Sequence, residues 1–179
     1  MAESFSNKVG RAVGVVTTST GASVGVTTNL ITGISTAGVA VGDIVDTGNY
    51  IGGTKVSSIG SGQVVVDRDS TNTASATSQT VKFLQPTILY TSPSSVKTIL
   101  IGGTFANNTN GQVGLTVELM DNSTGISVAL ASKIPVPAGS SFVISDTGKT
   151  LLESLDSIKV YCDTANAIDA NISILTGVN

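Results

Sequence analysis

The chain has 179 residues and a mass of 17.9 kDa, enough for one compact domain or two small ones. Nine Lys and Arg against twelve Asp and Glu give a formal net charge of −3, so the basic face of a nucleic-acid-binding protein is not expected. With no histidine and a single cysteine, Cys162, the chain lacks the commonest general base and zinc ligand and cannot form an intrachain disulfide. It has no apolar run long enough to cross a membrane and no apolar signal-peptide core, which predicts cytoplasmic synthesis and no membrane partner.

The first half of the chain alternates short β-branched runs with Gly, Asn, Asp and Ser, a pattern typical of short strands joined by tight turns. The predicted strands are residues 14–18, 24–28, 29–32, 42–45, the later part of 50–59, 63–67 and 79–83. Residues 19–21, Ser-Thr-Gly, predict a turn between the first two. Strands at this spacing favour a sandwich or a small barrel.

Pro86 and Pro93 predict a connector between two halves at residues 84–95, because proline lacks a ladder donor and restricts the residue before it. Beyond it, residues 96–101 are almost wholly apolar or β-branched, which predicts a central strand covered on both faces. Gly102-Gly103 then predicts a bulge or bend. Further strands are predicted in residues 88–90, 113–119, 126–130, 142–144, 156–162 and 170–175.

Alternation is clearest in residues 113–119, where every second residue is Val or Leu, and this predicts a half-buried strand. The sequence Asp-Asn-Ser-Thr-Gly at residues 121–125 predicts a hairpin turn to the next strand. Residues 135–140 predict a corner. Residues 149–155 are the one segment that could form a helical turn or two.

These elements predict an all-β fold made of two small antiparallel β-sandwich or β-barrel domains, residues 1–85 and 86–179. The first domain begins with residues 2–12, which carry Phe5, Lys8 and Arg11. Two interpretations of this segment stay open: an extended arm that orders against a neighbouring molecule, or an ordinary frayed terminus.

Three short segments resemble motifs that bind calcium, phosphate or a dinucleotide, but each lacks residues that the motif requires. Residues 67–72, Asp-Arg-Asp-Ser-Thr-Asn, resemble an oxygen-rich calcium loop but lack its glycine at position six and glutamate at position twelve, so a solvated turn is favoured. Gly148-Lys149-Thr150 matches the end of a phosphate-binding loop, but Val143 occupies the position of its first glycine, which favours an exposed turn. The pair Gly60 and Gly62 lacks the third glycine of a dinucleotide-binding loop.

Nucleophiles and acids are equally isolated in the sequence. Ser94 lies three residues before Lys97, but at the start of an apolar strand, and Cys162 lies within a strand where a buried, inert thiol is expected. The acid pairs are Asp43 with Asp46 and Asp163 with Asp169, and the glycosylation sequons begin at Asn107, Asn122 and Asn171. Spacing alone does not place either acid pair in one cleft. The sequence therefore predicts no catalytic, metal-binding or cofactor-binding residues and no cofactor.

Two groups of segments carry a resemblance to known proteins. Residues 41–45, 51–59 and 63–67 resemble a small β-module common in tailed-bacteriophage virion proteins. Residues 101–109, 134–141 and 156–160 resemble the β-sandwich of accessory phage structural proteins. The low charge and the abundance of Ser, Thr, Gly and Val are most similar to marine cyanophage virion proteins.

The resemblance implies a non-enzymatic virion structural protein, either a capsid decoration or a neck or tail component, made in the host cytoplasm. Its implied partners are copies of itself and major capsid, portal, neck or tail subunits, with no nucleic acid or membrane. Low charge agrees with this, because interface cores are depleted in charged residues. One alternative is a carbohydrate-binding fibre adhesin, weakened by the absence of Trp and the presence of only three Tyr. Another is a tail lyase or glycosidase that uses paired carboxylates, although the three glutamates are scattered.

Overall fold

The computed structural model describes residues 3–178, without the side chains of residues 145–148. Within this range there are fourteen strands and no helix, and every strand pairing is antiparallel, so the all-β prediction is confirmed. The strands are β1 (Ser4–Val13), β2 (Val15–Val24), β3 (Leu30–Thr32), β4 (Ile44–Asp46), β5 (Val56–Gly60), β6 (Gln63–Val66), β7 (Ala76–Gln85), β8 (Thr87–Thr91), β9 (Lys97–Asn107), β10 (Val113–Asp121), β11 (Ile126–Val136), β12 (Ser141–Leu152), β13 (Ser157–Cys162) and β14 (Ile168–Val178). They divide into two compact units: residues 15–86, and the residues on either side of that segment.

The flanking residues form a sandwich of two four-stranded sheets, with strand orders β1-β14-β9-β12 and β11-β10-β13-β8. Taken in chain order, the eight strands pair first with last and then inward: β1 with β14, β8 with β13, β9 with β12, and β10 with β11. Pairings of β14 with β9 and of β10 with β13 complete the two sheets. This nested, two-sheet arrangement is an eight-stranded jelly roll.

Alternation along the strands builds the core between the two sheets. In β10 the predicted inward residues Val113, Leu115 and Val117 are buried, and Leu119 packs against the same core. From the other sheet, alternate residues of β14 and the Phe105 ring of β9 complete a continuous apolar cluster. The hairpin turn predicted at residues 121–125 is confirmed, because the Gly125 amide donates to the Asp121 carbonyl at 2.9 Å.

Residues 15–86 form one six-stranded sheet in the order β4-β7-β2-β3-β6-β5. Its two end strands also meet, because Ile44 pairs with Lys55 and the Val56 amide donates to the Asp43 carbonyl at 2.9 Å. The sheet therefore closes into a small barrel. Its interior is filled by Ala22, Val24, Ile31, Ile34, Val45, Tyr50, Val56, Val64, Val66, Val81 and Phe83.

The N-terminal segment differs from both interpretations offered by the sequence. Ser4 to Val13 form β1, which pairs with β14 and places Val13 in the sandwich core, while Ala2 lies outside the described residues. The barrel is consequently an insertion between the first and second strands of the jelly roll. Its boundaries lie at Gly14 and Pro86, whereas the sequence assigned everything before residue 86 to one domain. The pairing of β1 with a strand more than 150 residues away is the physical reason for the difference.

Three local predictions were wrong. Residues 19–21 do not form a turn but continue β2 through an irregularity in its pairing with β7, at which Gly21 has a φ of +83°. The predicted helical turn at residues 149–155 is instead the end of β12, whose Leu151 and Leu152 pair with β9, followed by a turn in which the Asp156 amide donates to the Glu153 carbonyl at 3.2 Å. Of the predicted strand 96–101, residues 97–101 belong to the central strand β9, but only one face is covered, since Ile101 is exposed.

Candidate functional site

One end of the jelly roll gathers the connections β9–β10, β11–β12 and β13–β14. The Asn108 amide donates to the Ala167 carbonyl at 2.9 Å, and the Asn107 amide donates to the Ser140 carbonyl at 2.8 Å. The Asn166 amide donates to the Gly14 carbonyl at 2.7 Å, where the chain leaves β1. Main-chain hydrogen bonds thus fix the loops of this end relative to one another.

Asn107 is the side chain that ties these loops together, and it is only 1% exposed. Its Nδ2 amide lies 2.7 Å from the Gly111 carbonyl, 2.9 Å from the Val136 carbonyl and 3.1 Å from the Pro137 carbonyl. Its Oδ1 accepts from the Thr109 amide at 2.9 Å and from the Thr109 hydroxyl at 2.8 Å. The Asn107 side chain of the first sequon is therefore not accessible for glycosylation, since its amide nitrogen is buried and already hydrogen-bonded.

A depression of about 540 Å³ opens beside Asn107. Its lining residues are small or uncharged and polar: Ala106, Asn107, Asn108, Thr109, Asn110, Ala138, Gly139, Ser140 and Ser141. Amides and hydroxyls in such a lining both donate and accept hydrogen bonds, so the chemistry suits a neutral, hydroxyl-rich ligand. Sequence patterns did not identify this site, because its residues come from two loops about 30 positions apart.

A carboxylate, Asp169, adjoins this end. Hydrogen bonds from the Ala12 amide at 2.8 Å and from the Asn108 side chain, together with the nearby Arg11 charge, hold its pKa below the ordinary value. Its predicted partner Asp163 instead accepts from the Gly114 amide at 3.0 Å. Each of the two acids therefore accepts a hydrogen bond from a different main-chain amide, and these contacts do not bring the two carboxylates together as a catalytic pair.

The outer face of the β1-β14-β9-β12 sheet carries one row of apolar side chains. The register places three rows across the four strands: Phe5, Leu175, Ile99 and Leu151; then Asn7, Ser173, Gly102 and Ser145; then Val9, Asn171, Thr104 and Val143. Phe5 and Val9 are 73% and 77% exposed, and Leu151 and Val143 are also exposed. None of these twelve positions is a charged residue. We call this surface the row face.

The outer face of the other sheet carries several polar side chains. Tyr161 donates from its hydroxyl to Glu118 Oε1 at 2.6 Å, and both side chains are buried. Thr116, which lies opposite Tyr161 in the register, accepts a hydrogen bond from the Lys133 amide at 3.0 Å. Lys159 lies opposite Glu118. The outer face of this sheet therefore carries the buried carboxylate of Glu118 as well as the exposed apolar Ile88, which pairs with Lys159.

In the barrel, residues 67–72, which resemble a calcium-binding loop in sequence, form hydrogen bonds to neighbouring loops. Asp67 accepts from the Lys55 amide at 2.7 Å, the Arg68 guanidinium donates to the Gly52 carbonyl, and the Ser70 hydroxyl donates to the Gly25 carbonyl at 2.7 Å. Among the described residues, no group of three or more His, Cys, Asp or Glu side chains is arranged to hold a metal ion.

Tyr50 lies in the barrel interior and is 6% exposed. Burial, together with the nearby charge of Asp69, raises its pKa to about 12. The Tyr50 hydroxyl donates to the Thr28 carbonyl at 3.1 Å. Ionisation of this side chain would place a negative charge inside the barrel, so Tyr50 contributes packing and one hydrogen bond in its neutral form.

The remaining predicted positions are dispersed. Asp43 is buried and accepts from the Ala40 amide at 2.8 Å, and burial raises its pKa, whereas Asp46 lies opposite Lys82 in the barrel. Cys162 is a buried free thiol whose pKa is raised by burial.

The other short motifs fall at strand and turn positions. Ser94 lies in a turn before Lys97, the first residue of β9. Lys149 and Thr150 lie in β12 and not in an exposed turn. No helix in the described part of the chain is long and apolar enough to cross a membrane.

Comparison with known proteins gave two similar solved structures. A chain from the crystal structure of the T13 particle of infectious bursal disease virus superposes with a TM-score of 0.38 and 6% identity over 96% of this chain and 70% of that chain. A chain from the Gx strain of the same virus gives 0.31 and 10% identity over 99% and 71%. Both TM-scores are below 0.5, so neither structure is evidence for the fold or function of this chain. No protein-family model and no curated protein matches the sequence.

Proposed function

We propose that this chain is a non-enzymatic structural protein of a virion. The observation that carries the proposal is the nested pairing of β1 with β14, β8 with β13, β9 with β12 and β10 with β11. Jelly rolls with this arrangement build viral capsid domains, and they also occur in lectins and cupins. Because one fold hosts several functions, the choice among them depends on surface chemistry.

Surface chemistry favours assembly over catalysis. The row face presents six large apolar side chains and no charge at its twelve paired positions, and interface cores are likewise depleted in charge. Combined with the resemblance to accessory phage structural proteins, this supports a subunit of a tailed-phage particle, as a capsid decoration or a neck or tail component. Its partners are then virion subunits and further copies of itself.

The test is the copy number of the chain in purified particles, measured by quantitative mass spectrometry against the major capsid protein. Hundreds of copies indicate a shell component that follows icosahedral symmetry, and a small multiple of six indicates the neck or tail. Host cytoplasmic proteins quantified in the same sample provide the background for contamination. A level no higher than that background would overturn the proposal.

Carbohydrate binding is the second candidate, and the depression of about 540 Å³ beside Asn107 favours it. Its uncharged lining can hydrogen-bond to sugar hydroxyls. The variant Ala138→Trp fills the depression from an exposed turn position, whereas Ala129→Trp adds the same side chain on exposed β11, outside the lining. Glycan-array binding that is lost only in Ala138→Trp supports an adhesin, and an array with no bound glycan excludes this candidate.

A further inference from the structure

We infer that Asn110 is a site of self-modification, at which the Gly111 main-chain nitrogen and then water convert the side-chain amide to a carboxylate. Asparagine is a chemically labile residue, and it reacts most readily before glycine, which has no side chain to obstruct the attack of its own amide. Asn110 is the one asparagine of the chain that precedes a glycine. The inference rests on this loop alone and holds whether or not the chain belongs to a virion.

The loop between β9 and β10 leaves both reacting residues accessible. Asn110 and Gly111 are exposed and lie in bends outside the strands. Apart from its two chain neighbours, nothing among the described residues lies within 4 Å of the position that a Cβ on Gly111 would occupy. This open space lets the glycine nitrogen move towards the Asn110 side chain and admits the water that the second step consumes.

The nitrogen of Gly111 is held only weakly. It donates to the Thr109 hydroxyl at 3.3 Å, beyond the usual range of about 2.7–3.2 Å for such a bond. Asn122 precedes another small residue, but there the Ser123 amide donates to Asp121 Oδ1 at 2.8 Å. A hydrogen bond to a carboxylate is stronger than one to a neutral acceptor, so the nitrogen that would attack Asn122 is held in place.

The two other asparagines of the same loop are protected in the same way. The nitrogen that would attack Asn107 belongs to Asn108, whose amide donates to the Ala167 carbonyl at 2.9 Å. The nitrogen that would attack Asn108 belongs to Thr109, whose amide donates to Asn107 Oδ1 at 2.9 Å. The hydrogen bonds of the loop therefore direct the reaction to Asn110.

The reaction balances with water as its only added reactant. The Gly111 nitrogen loses its proton and attacks Cγ of Asn110, and the side-chain nitrogen leaves as ammonia. Water then opens the resulting five-membered succinimide. Cleavage of the new bond at Cγ gives aspartate, and cleavage of the original peptide bond gives isoaspartate, in which the main chain runs through Cβ and Cγ. Either route consumes one water, releases one ammonia and replaces the amide with a carboxylate.

The products change the depression beside Asn107. Its lining residues include none that is charged, so a carboxylate at position 110 introduces a negative charge there. Isoaspartate also lengthens the main chain directly before Gly111, whose carbonyl accepts from Asn107 Nδ2 at 2.7 Å and from the Thr109 hydroxyl at 2.9 Å. The isoaspartyl product should therefore weaken the hydrogen bonds of the loop, whereas aspartate at the same position changes only the charge.

The experiment is incubation of the folded full chain in mildly alkaline buffer made with isotopically labelled water. Mass spectrometry with fragment-ion sequencing then assigns the labelled oxygen to individual residues over time. We expect Asn110 to convert at least about tenfold faster than Asn122, which corresponds to an activation free energy lower by about 1.4 kcal/mol. Gly111→Ala is the matched control, because its Cβ enters open space, and its methyl group should slow the conversion about tenfold.

The same measurement in guanidinium chloride tests the protection by hydrogen bonds. Unfolding breaks the contact of Asp121 with the Ser123 amide, so the ratio of the Asn110 rate to the Asn122 rate should fall. In the folded chain, conversion at Asn110 that is no faster than at Asn122, or that is no slower in Gly111→Ala, would overturn the inference.

The effect on the loop is measured on the isoaspartyl form, separated from the unreacted chain by ion exchange. Its unfolding midpoint in urea should lie below that of the variant Asn110→Asp, which carries the same charge on an unaltered main chain. Equal midpoints would show that the loop tolerates the longer main chain and would overturn the structural consequence. The copy number in particles is measured separately, so neither result depends on the other.

Discussion

Replacement of Asn107 tests whether one buried amide holds the loop end of the jelly roll together. The two N–H groups of its side-chain amide serve three carbonyl oxygens at 2.7–3.1 Å, so at least one of these contacts is shared, and Oδ1 accepts two more hydrogen bonds. At about 1 kcal/mol for each of about four effective bonds, Asn107→Ala should lower the free energy of unfolding by about 3–4 kcal/mol. The alanine removes the side-chain donor to the carbonyl of buried Val136, whereas the Gly111 carbonyl still accepts from the Thr109 hydroxyl and the Pro137 carbonyl from the Ser140 hydroxyl.

The isosteric variant Asn107→Asp sharpens the test, because it changes the donor without changing the shape. At neutral pH a carboxylate oxygen would face the carbonyls of Gly111, Val136 and Pro137, so this variant should be at least as unstable as Asn107→Ala. As the pH falls toward about 4, the buried acid becomes protonated and can donate again, so the difference in stability from wild type should narrow. Asn110→Ala, an exposed position in the same loop, is the control and should change stability by less than about 0.5 kcal/mol. Urea unfolding followed by circular dichroism measures all three. A folded Asn107→Ala protein within 1 kcal/mol of wild type, roughly the value of a single hydrogen bond, would refute the reasoning.

Two further substitutions have effects fixed by local geometry. In Gly14→Ala the new Cβ would lie 2.5 Å from Cys162 Sγ at a φ of +121°, so we expect a loss of at least about 2 kcal/mol, measured by urea unfolding. An unchanged midpoint would contradict that clash. Because the pKa of Tyr50 is raised to about 12 in the folded state, the unfolded chain loses this proton first, and stability should fall by up to about 2 kcal/mol between pH 10 and 12. Tyr50→Phe should remove that part of the alkaline loss, and an identical pH profile in the variant would show that another group is responsible.

Local sequence patterns predicted the elements whose partners are near in the chain. The alternation of Val113, Leu115 and Val117 identified the buried face of β10, and Asp121 and Gly125 identified the adjoining hairpin, because both depend on residues within a few positions. The jelly roll could not be predicted in the same way. Its outermost pair, β1 with β14, joins segments with no local preference for each other, and the inserted barrel hides their relationship along the chain.

For the candidate surfaces, too, the sequence predicted local features and not those that depend on pairing between distant segments. The sequence predicted strands at residues 142–144 and 170–175, but a strand prediction does not reveal that Leu175, Ile99 and Leu151 meet in one row. Register decides this, and register is set by pairing across the sheet. Asn107 was visible only as a sequon, because its role depends on burial and on carbonyls some 30 residues away.

The insertion of the barrel leads to the most direct test of the domain organisation. The sequence places a boundary before residue 86, whereas the structure makes β1 part of the jelly roll. The eight residue pairs of β1 with β14, the buried Val13 side chain, and the approach of Lys8 Nζ to 5.8 Å from the Tyr90 ring centroid all join β1 to the residues beyond 86. We propose that the two units fold independently, so a chain that lacks residues 15–86, with Gly14 joined to Thr87 by a short Gly/Ser linker, should fold cooperatively.

The fragment 86–179 is the matched comparison, because it contains the whole second predicted domain and lacks only β1. Loss of the β1 hydrogen bonds and of Val13 should destabilise it by at least about 3 kcal/mol relative to the linked chain, a large part of the 5–15 kcal/mol that holds a typical domain together. Removal of β1 also bares β14 as a long edge strand, so the fragment should aggregate more readily. Calorimetry and light scattering on both proteins decide between the boundaries. Equal stability would show that β1 is dispensable and favour the sequence boundary, and failure of the linked chain to fold would show that the jelly roll depends on its inserted barrel.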